Sequence, residues 1–122
     1  MIDVELLGSA DERLRRAAEL AVASAGLADA HLAVELVSAE RIHELNREHR
    51  GRDAPTDVLS FPVDADGPAA GPRELGDVVI APDQTEDLAE AVIHGVLHLT
   101  GMDHERDDGE MLALQAELRS WL

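Results

Sequence analysis

His94 and His98 stand four residues apart inside an otherwise apolar run, AEAVIHGVLHL. A run of this composition has to be buried, and on a helix of about 3.6 residues per turn both imidazoles leave from one face. Gly101 follows three residues later, where left-handed backbone can stop the helix and turn the chain back, carrying His104 towards the same point. Three imidazoles can then converge. Zn²⁺ accepts such nitrogens at roughly 2.0–2.1 Å, and three protein ligands leave the fourth tetrahedral position open for water or substrate.

Two histidines on a buried helix are compatible with ordinary packing; the third makes the case for metal. His, His at +4, Gly at +7 and His at +10 is the spacing of the extended zincin pattern HExxHxxGxxH. One position departs from it: where a metalloprotease carries its general-base Glu, this chain has Gly95, which cannot move a proton. Ordinary zinc-protease chemistry is therefore disfavoured. Cysteine is absent, so the site must use nitrogen and oxygen ligands, and a reducing compartment is compatible with the chain.

The 122 residues have the size of one domain, and residues 1–122 are expected to form a single unit. With one Phe, one Trp and no Tyr, the core must come from Leu, Val, Ile and Ala, and aromatic platforms for bases are nearly absent. Ten basic residues, all Arg, stand against 26 acidic ones, a formal charge of −16. Such a surface favours solubility and argues against tight non-specific binding of nucleic acid, which needs many cations to displace counterions from phosphates. A local basic patch would be required. No apolar run has the length of a bilayer span and no signal-type leader opens the chain, which points to a soluble, cytoplasmic protein.

In chain order, Ile2–Leu7 alternates apolar and polar residues as a strand. Ser9 and Glu12 form a capping-box signature for a helix to about Ala25, with Leu14, Ala17, Ala18, Ala21 and Val22 as its apolar stripe. His31–Val37 reads as a second strand, and Ser38 caps a helix over Ala39–Glu48. From Arg41 to Arg52 four Arg face two Glu, so this segment is net positive, and Arg50 and Arg52, expected in the loop after the helix, are the better candidates for an anion site. DAPTDVLSFP (53–62) turns into a third strand, 63–74 reads as loop, and the apolar LGDVVIA (75–81) as a fourth, more central strand. Asp83 with Glu86 can cap the histidine helix. A last helix, about Asp108–Leu122, is expected to place Met111, Leu112, Leu118 and Trp121 against the body.

Three of these segments, LNREHRGRDAPTDVLSFP, LGDVVIAP and HGVLHLTGMDHE, resemble in that order the signature blocks of the YbeY family of bacterial endoribonucleases, the rRNA maturation factors. The resemblance implies an α+β fold: a small four-stranded mixed sheet with about four helices, and a zincin-like histidine-bearing helix in the core. It implies one zinc ion per chain on His94, His98 and His104, and a catalytic Arg50 across the cleft. Arg50, Arg52 and Ser60 are the candidate RNA contacts. The implied activity is single-strand-specific cleavage in 16S rRNA 3′-end maturation and ribosome quality control. The implied partners are single-stranded RNA, the small ribosomal subunit and the GTPase Era.

The chemistry can also be argued without the family. Bound zinc lowers the pKa of water to about 7, which offers a nucleophile without a Glu at position 95. Alternatively an RNA 2′-hydroxyl attacks its own phosphate while metal and Arg50 stabilise the developing charge. Asp103, beside the last histidine, is a candidate catalytic residue, either accepting a histidine N–H or accepting a proton. Two departures from the family stand out: the connection from Ile80 to His94 is short, and acids follow the third histidine at Glu105, Asp107, Asp108 and Glu110. Competing readings are a non-catalytic zinc-binding ribosome assembly factor and a zinc peptidase or other hydrolase.

Overall fold

A computed structural model describes residues 1–63 and 73–122. Four strands, β1 (Ile2–Leu7), β2 (Ala30–Leu36), β3 (Val58–Pro62) and β4 (Arg73–Ile80), form one mixed sheet in the order β1-β2-β4-β3. β1, β2 and β4 run parallel, while β3 pairs antiparallel with β4 at the edge. Four helices surround it: α1 (Glu12–Ser24), α2 (Ala39–Arg50), α3 (Leu88–Leu99) and α4 (Glu110–Ser120).

The apolar run in β4 is explained by its inner place, where both faces are covered. Val78 and Ile80 join the main core with Val4, Leu32 and Val34 and with the buried stripes of α1 and α3. Val79 points the other way, into a smaller cluster with Ile42 of α2, Leu59 and Ala81. The main core is built on the short side chains of α1, whose Ala17, Ala18, Ala21 and Val22 are fully buried. α3 is the central helix, with eight of its twelve residues buried; only its histidine side and its first turn reach solvent.

Several local expectations need correction. α1 is capped by Asp11, whose carboxylate accepts the Arg13 N–H, while Ser9 Oγ accepts the Asp11 N–H; a carboxylate one residue from the helix outcompetes the more distant hydroxyl. Ser38 does cap α2, but that helix continues to Arg50 and closes on Gly51 in the left-handed conformation, so Arg50 is helical and only Arg52 lies in the loop. β2 lies one residue earlier than expected. The residues after Ile80 make a single 3-10 turn, Pro82–Gln84, and α3 is capped by Asp87 rather than by Asp83. α4 begins two residues late, and Leu112 and Trp121 are exposed, at 47% and 60%. Met111 and Leu118, seven residues apart and hence on one face, are the buried pair. The loop expected over 63–74 falls mostly outside the described residues, and Arg73 and Glu74 already pair in β4.

Candidate metal centre

Both ends of α3 are fixed in ways that aim its histidines. At the start, Asp87 accepts the Glu90 N–H at 3.0 Å and the Arg119 Nε–H at 2.7 Å, which ties α3 to the end of α4. Burial would raise the Asp87 pKa, but these two donors outweigh it and hold the carboxyl below its ordinary value. At the other end the Gly101 N–H donates to the His98 carbonyl and the Met102 N–H to the Leu97 carbonyl, a Schellman pair with Gly101 at φ +103°. The chain reverses there. Asp103 then accepts the Glu105 N–H on its side chain, and its carbonyl accepts from Arg106 and Asp107, forming the turn that presents His104.

The result is a compact cluster. Ring centroids of His94, His98 and His104 lie 4.8, 5.0 and 5.2 Å apart, and one ring nitrogen from each falls within 4.8 Å of the others. Two of the rings have a fixed tautomer. His98 Nδ1 lies 3.0 Å from the Met102 carbonyl, and His94 Nδ1 lies 2.7 Å from Gln115 Oε1. A carbonyl oxygen only accepts, so each Nδ1 carries the proton and each Nε2 keeps its lone pair. Burial, and then the neighbouring His94, push the His98 pKa below its ordinary value and keep the ring in the neutral form a metal requires. Nδ1 of His104 is buried with no hydrogen-bond partner among the described residues. Three imidazoles brought this close, with a buried nitrogen left unsatisfied among the described residues, fit a metal ion that accepts nitrogen ligands. They could hold one.

Gln115 is the residue that sequence reading missed. Its signal was its place on α4, four residues after buried Met111 and three before buried Leu118, a polar residue on the apolar stripe. Asp103 makes no hydrogen bond to a histidine among the described residues; besides the turn, its carboxylate has only Arg106 Nε at 3.4 Å. Gly95 faces the sheet and not the cluster.

The histidines line a cleft of about 650 Å³, bounded opposite by the end of α2, the loop after it and the edge strand β3. Arg50, Arg52, Ser60, Asp103 and Glu105 all line this cleft. Buried Asn46 shapes the loop, donating from Nδ2 to the Ala54 carbonyl at 2.8 Å while its backbone carbonyl accepts the Arg52 N–H. The hydroxyl of Ser60 donates to the Gly95 carbonyl at 2.8 Å, bracing β3 against α3. Of the acids after the third histidine, Asp107 is engaged as a cap, accepting from Gly109 and Met111 N–H groups at the start of α4. Among the described residues, no helix is long and apolar enough to cross a membrane.

A family model described as Endoribonuclease YbeY matches residues 5–121. Similar curated proteins include an endoribonuclease YbeY of Anaeromyxobacter sp., 45% identical over 90% of this chain and 64% of the relative's length. Another, from Bacillus subtilis, is 36% identical over 96% of this chain and 86% of the relative. Among solved structures, the solution structure of a Thermotoga maritima protein superposes with a TM-score of 0.55 at 31% identity, covering 97% of this chain and 86% of the other.

Proposed function

Because the chain belongs to the YbeY endoribonuclease family, we propose that it is a zinc-dependent, single-strand-specific endoribonuclease, formed by one domain over residues 1–122. Its work would be 16S rRNA 3′-end maturation and ribosome quality control in the cytoplasm, alongside the small ribosomal subunit and the GTPase Era. The observation that carries the reading is the pairing of a histidine cluster with two arginines across one cleft, in a protein of charge −16.

His94, His98 and His104 would hold the ion, which when bound supplies Lewis-acid polarisation and a nucleophile usable near neutral pH. Nitrogen-only coordination fits zinc better than magnesium or calcium, which take oxygen. Arg50 and Arg52 would bind the phosphates flanking the cut. Arg50, the last residue of a helix, would stabilise negative charge as it develops on the phosphoryl oxygens. Ser60 keeps its lone pairs for an RNA donor while its proton is committed to Gly95. Asp103 and Glu105 border the cleft, and either carboxylate could accept a proton there. The peptidase reading is weakened because position 95, the general-base position of zincins, is turned into the sheet.

The test is cleavage of labelled single-stranded and duplex RNA by protein carrying one zinc per chain. The expected outcome is cutting of the single strand, lost in His98→Ala with the metal and reduced about 10²–10³-fold in Arg50→Ala with the metal retained. Zinc-loaded wild type that cuts no RNA would favour the non-catalytic assembly factor.

A further inference from the structure

We propose that His49 and Phe61 form a stacking site for one unpaired nucleobase beside the histidine cluster, and that this site contributes the preference for single strands. The inference rests on the endoribonuclease reading and names how that site engages its substrate.

Phe61 is the only phenylalanine of a chain with almost no aromatic residues. It lies outside the main core. On the same face of β3, Leu59 is 4% exposed within the small cluster of Ile42 and Val79, but Phe61 lies one pleat further on, at the margin of that cluster and half-buried. From the last turn of α2, exposed His49 meets it edge to face, with ring centroids 5.1 Å apart and planes at 75°. Both rings line the cleft that holds His94, His98 and His104. The sheet edge and the helix end thus bring two flat side chains together at the cleft.

The surroundings favour RNA as the occupant. Arg50 follows His49 directly, Arg52 lies two residues beyond, and among the described residues neither has a carboxylate within ion-pairing distance, although the chain carries 26 acids. Asp53, next to Arg52, is already taken by His43 at 2.7 Å and Arg47 at 3.8 Å. Guanidinium groups beside a flat, partly exposed ring pair are the parts from which single-strand sites are made: cations for the backbone and a π-surface for a base of any sequence. In a duplex both faces of a base are covered by its neighbours, so only an unpaired nucleotide can place one here.

The test compares binding and cleavage of a short single strand, carrying the fluorescent base 2-aminopurine at successive positions, with the same strand made abasic at one position. With zinc-loaded wild type, one 2-aminopurine position should be quenched on binding, and removing the base there should weaken binding about five- to a hundredfold. Phe61→Leu keeps an apolar group on the Leu59 cluster; at unchanged melting temperature and zinc content it should lose both the quench and the discrimination, while Phe61→Tyr should restore them. His49→Ala should show a smaller loss in the same direction. Equal binding of base-bearing and abasic strands by wild type, or wild-type binding by Phe61→Leu, would overturn the stacking site. Quenching without any cleavage would leave the stacking site standing and count against the endoribonuclease reading instead.

Discussion

Gly95 of α3 lies so close to Val78 of β4 that an added Cβ would sit 2.5 Å from one Val78 methyl and 3.2 Å from the other, with a Val58 methyl at 3.1 Å. The helix that carries His94 and His98 therefore rests on the sheet at this glycine. Gly95→Ala gains about 1 kcal/mol of helix propensity, but three contacts below ordinary van der Waals distance cost more, about 1–3 kcal/mol. We expect net destabilisation in urea unfolding, partly relieved by adding Val78→Ala. Gly95→Glu, which completes the zincin sequence, should lower stability further and create no peptidase activity.

Gln115 and His94 provide the second prediction. Replacing Gln115 by Leu removes the acceptor that orients the His94 ring and should weaken zinc binding about 10–100-fold in a chelator competition, with little change in far-UV circular dichroism. Gln115→Glu keeps an acceptor and should retain most of the affinity. Equal zinc affinity in all three proteins would mean that the contact does not orient the ring.

Arg52 is tested by salt. If it binds a phosphate, Arg52→Ala should weaken single-stranded RNA binding at low salt and flatten the slope of log affinity against log salt by about 0.7, the value for one single-strand phosphate contact. An unchanged slope would remove Arg52 from the RNA contacts.

His31 gives the pH dependence. It sits on the face of the sheet away from the main core, its Nδ1 2.5 Å from Glu74 of β4 and its Nε2 3.9 Å from Glu5 of β1. The hydrogen bond to Glu74 is the largest cause of a pKa above the usual 6.5; desolvation opposes it, and the charges of Glu74, Asp3 and Glu5 add to it. A raised histidine pKa means that the folded state binds the proton more tightly. Its contribution to stability is full below the unfolded pKa of about 6.5 and disappears as pH rises through the folded value. The His31 and Glu74 side chains are a third to a half exposed, so solvent screens the pair and the effect should be small. Glu74→Gln should lower the His31 pKa in an NMR titration and flatten stability against pH in that window.

How much of this was readable in advance depends on the range of the interaction involved. His94, His98, Gly101 and His104 are joined by one helix and one turn, so their spacing along the chain sets their spacing in space. The buried stripe of α1 and the inner position of β4 follow from local periodicity in the same way. Helix ends were less legible, because Ser9 against Asp11, or Asp83 against Asp87, is a competition between neighbouring caps whose winner depends on where each helix docks.

The sequence by itself determined that a helix would carry two histidines on one face and bring a third back to it, and its blocks resembled the family to which the chain belongs. Tertiary structure decided what the spacing of residues could not encode. Gln115 reaches His94 from 21 positions away, and Ser60 reaches Gly95 across 35. The only phenylalanine meets His49 at the cleft because β3 is an edge strand and α2 ends beside it. Contacts between elements depend on how helices pack on a sheet, and that packing is set by the whole core at once.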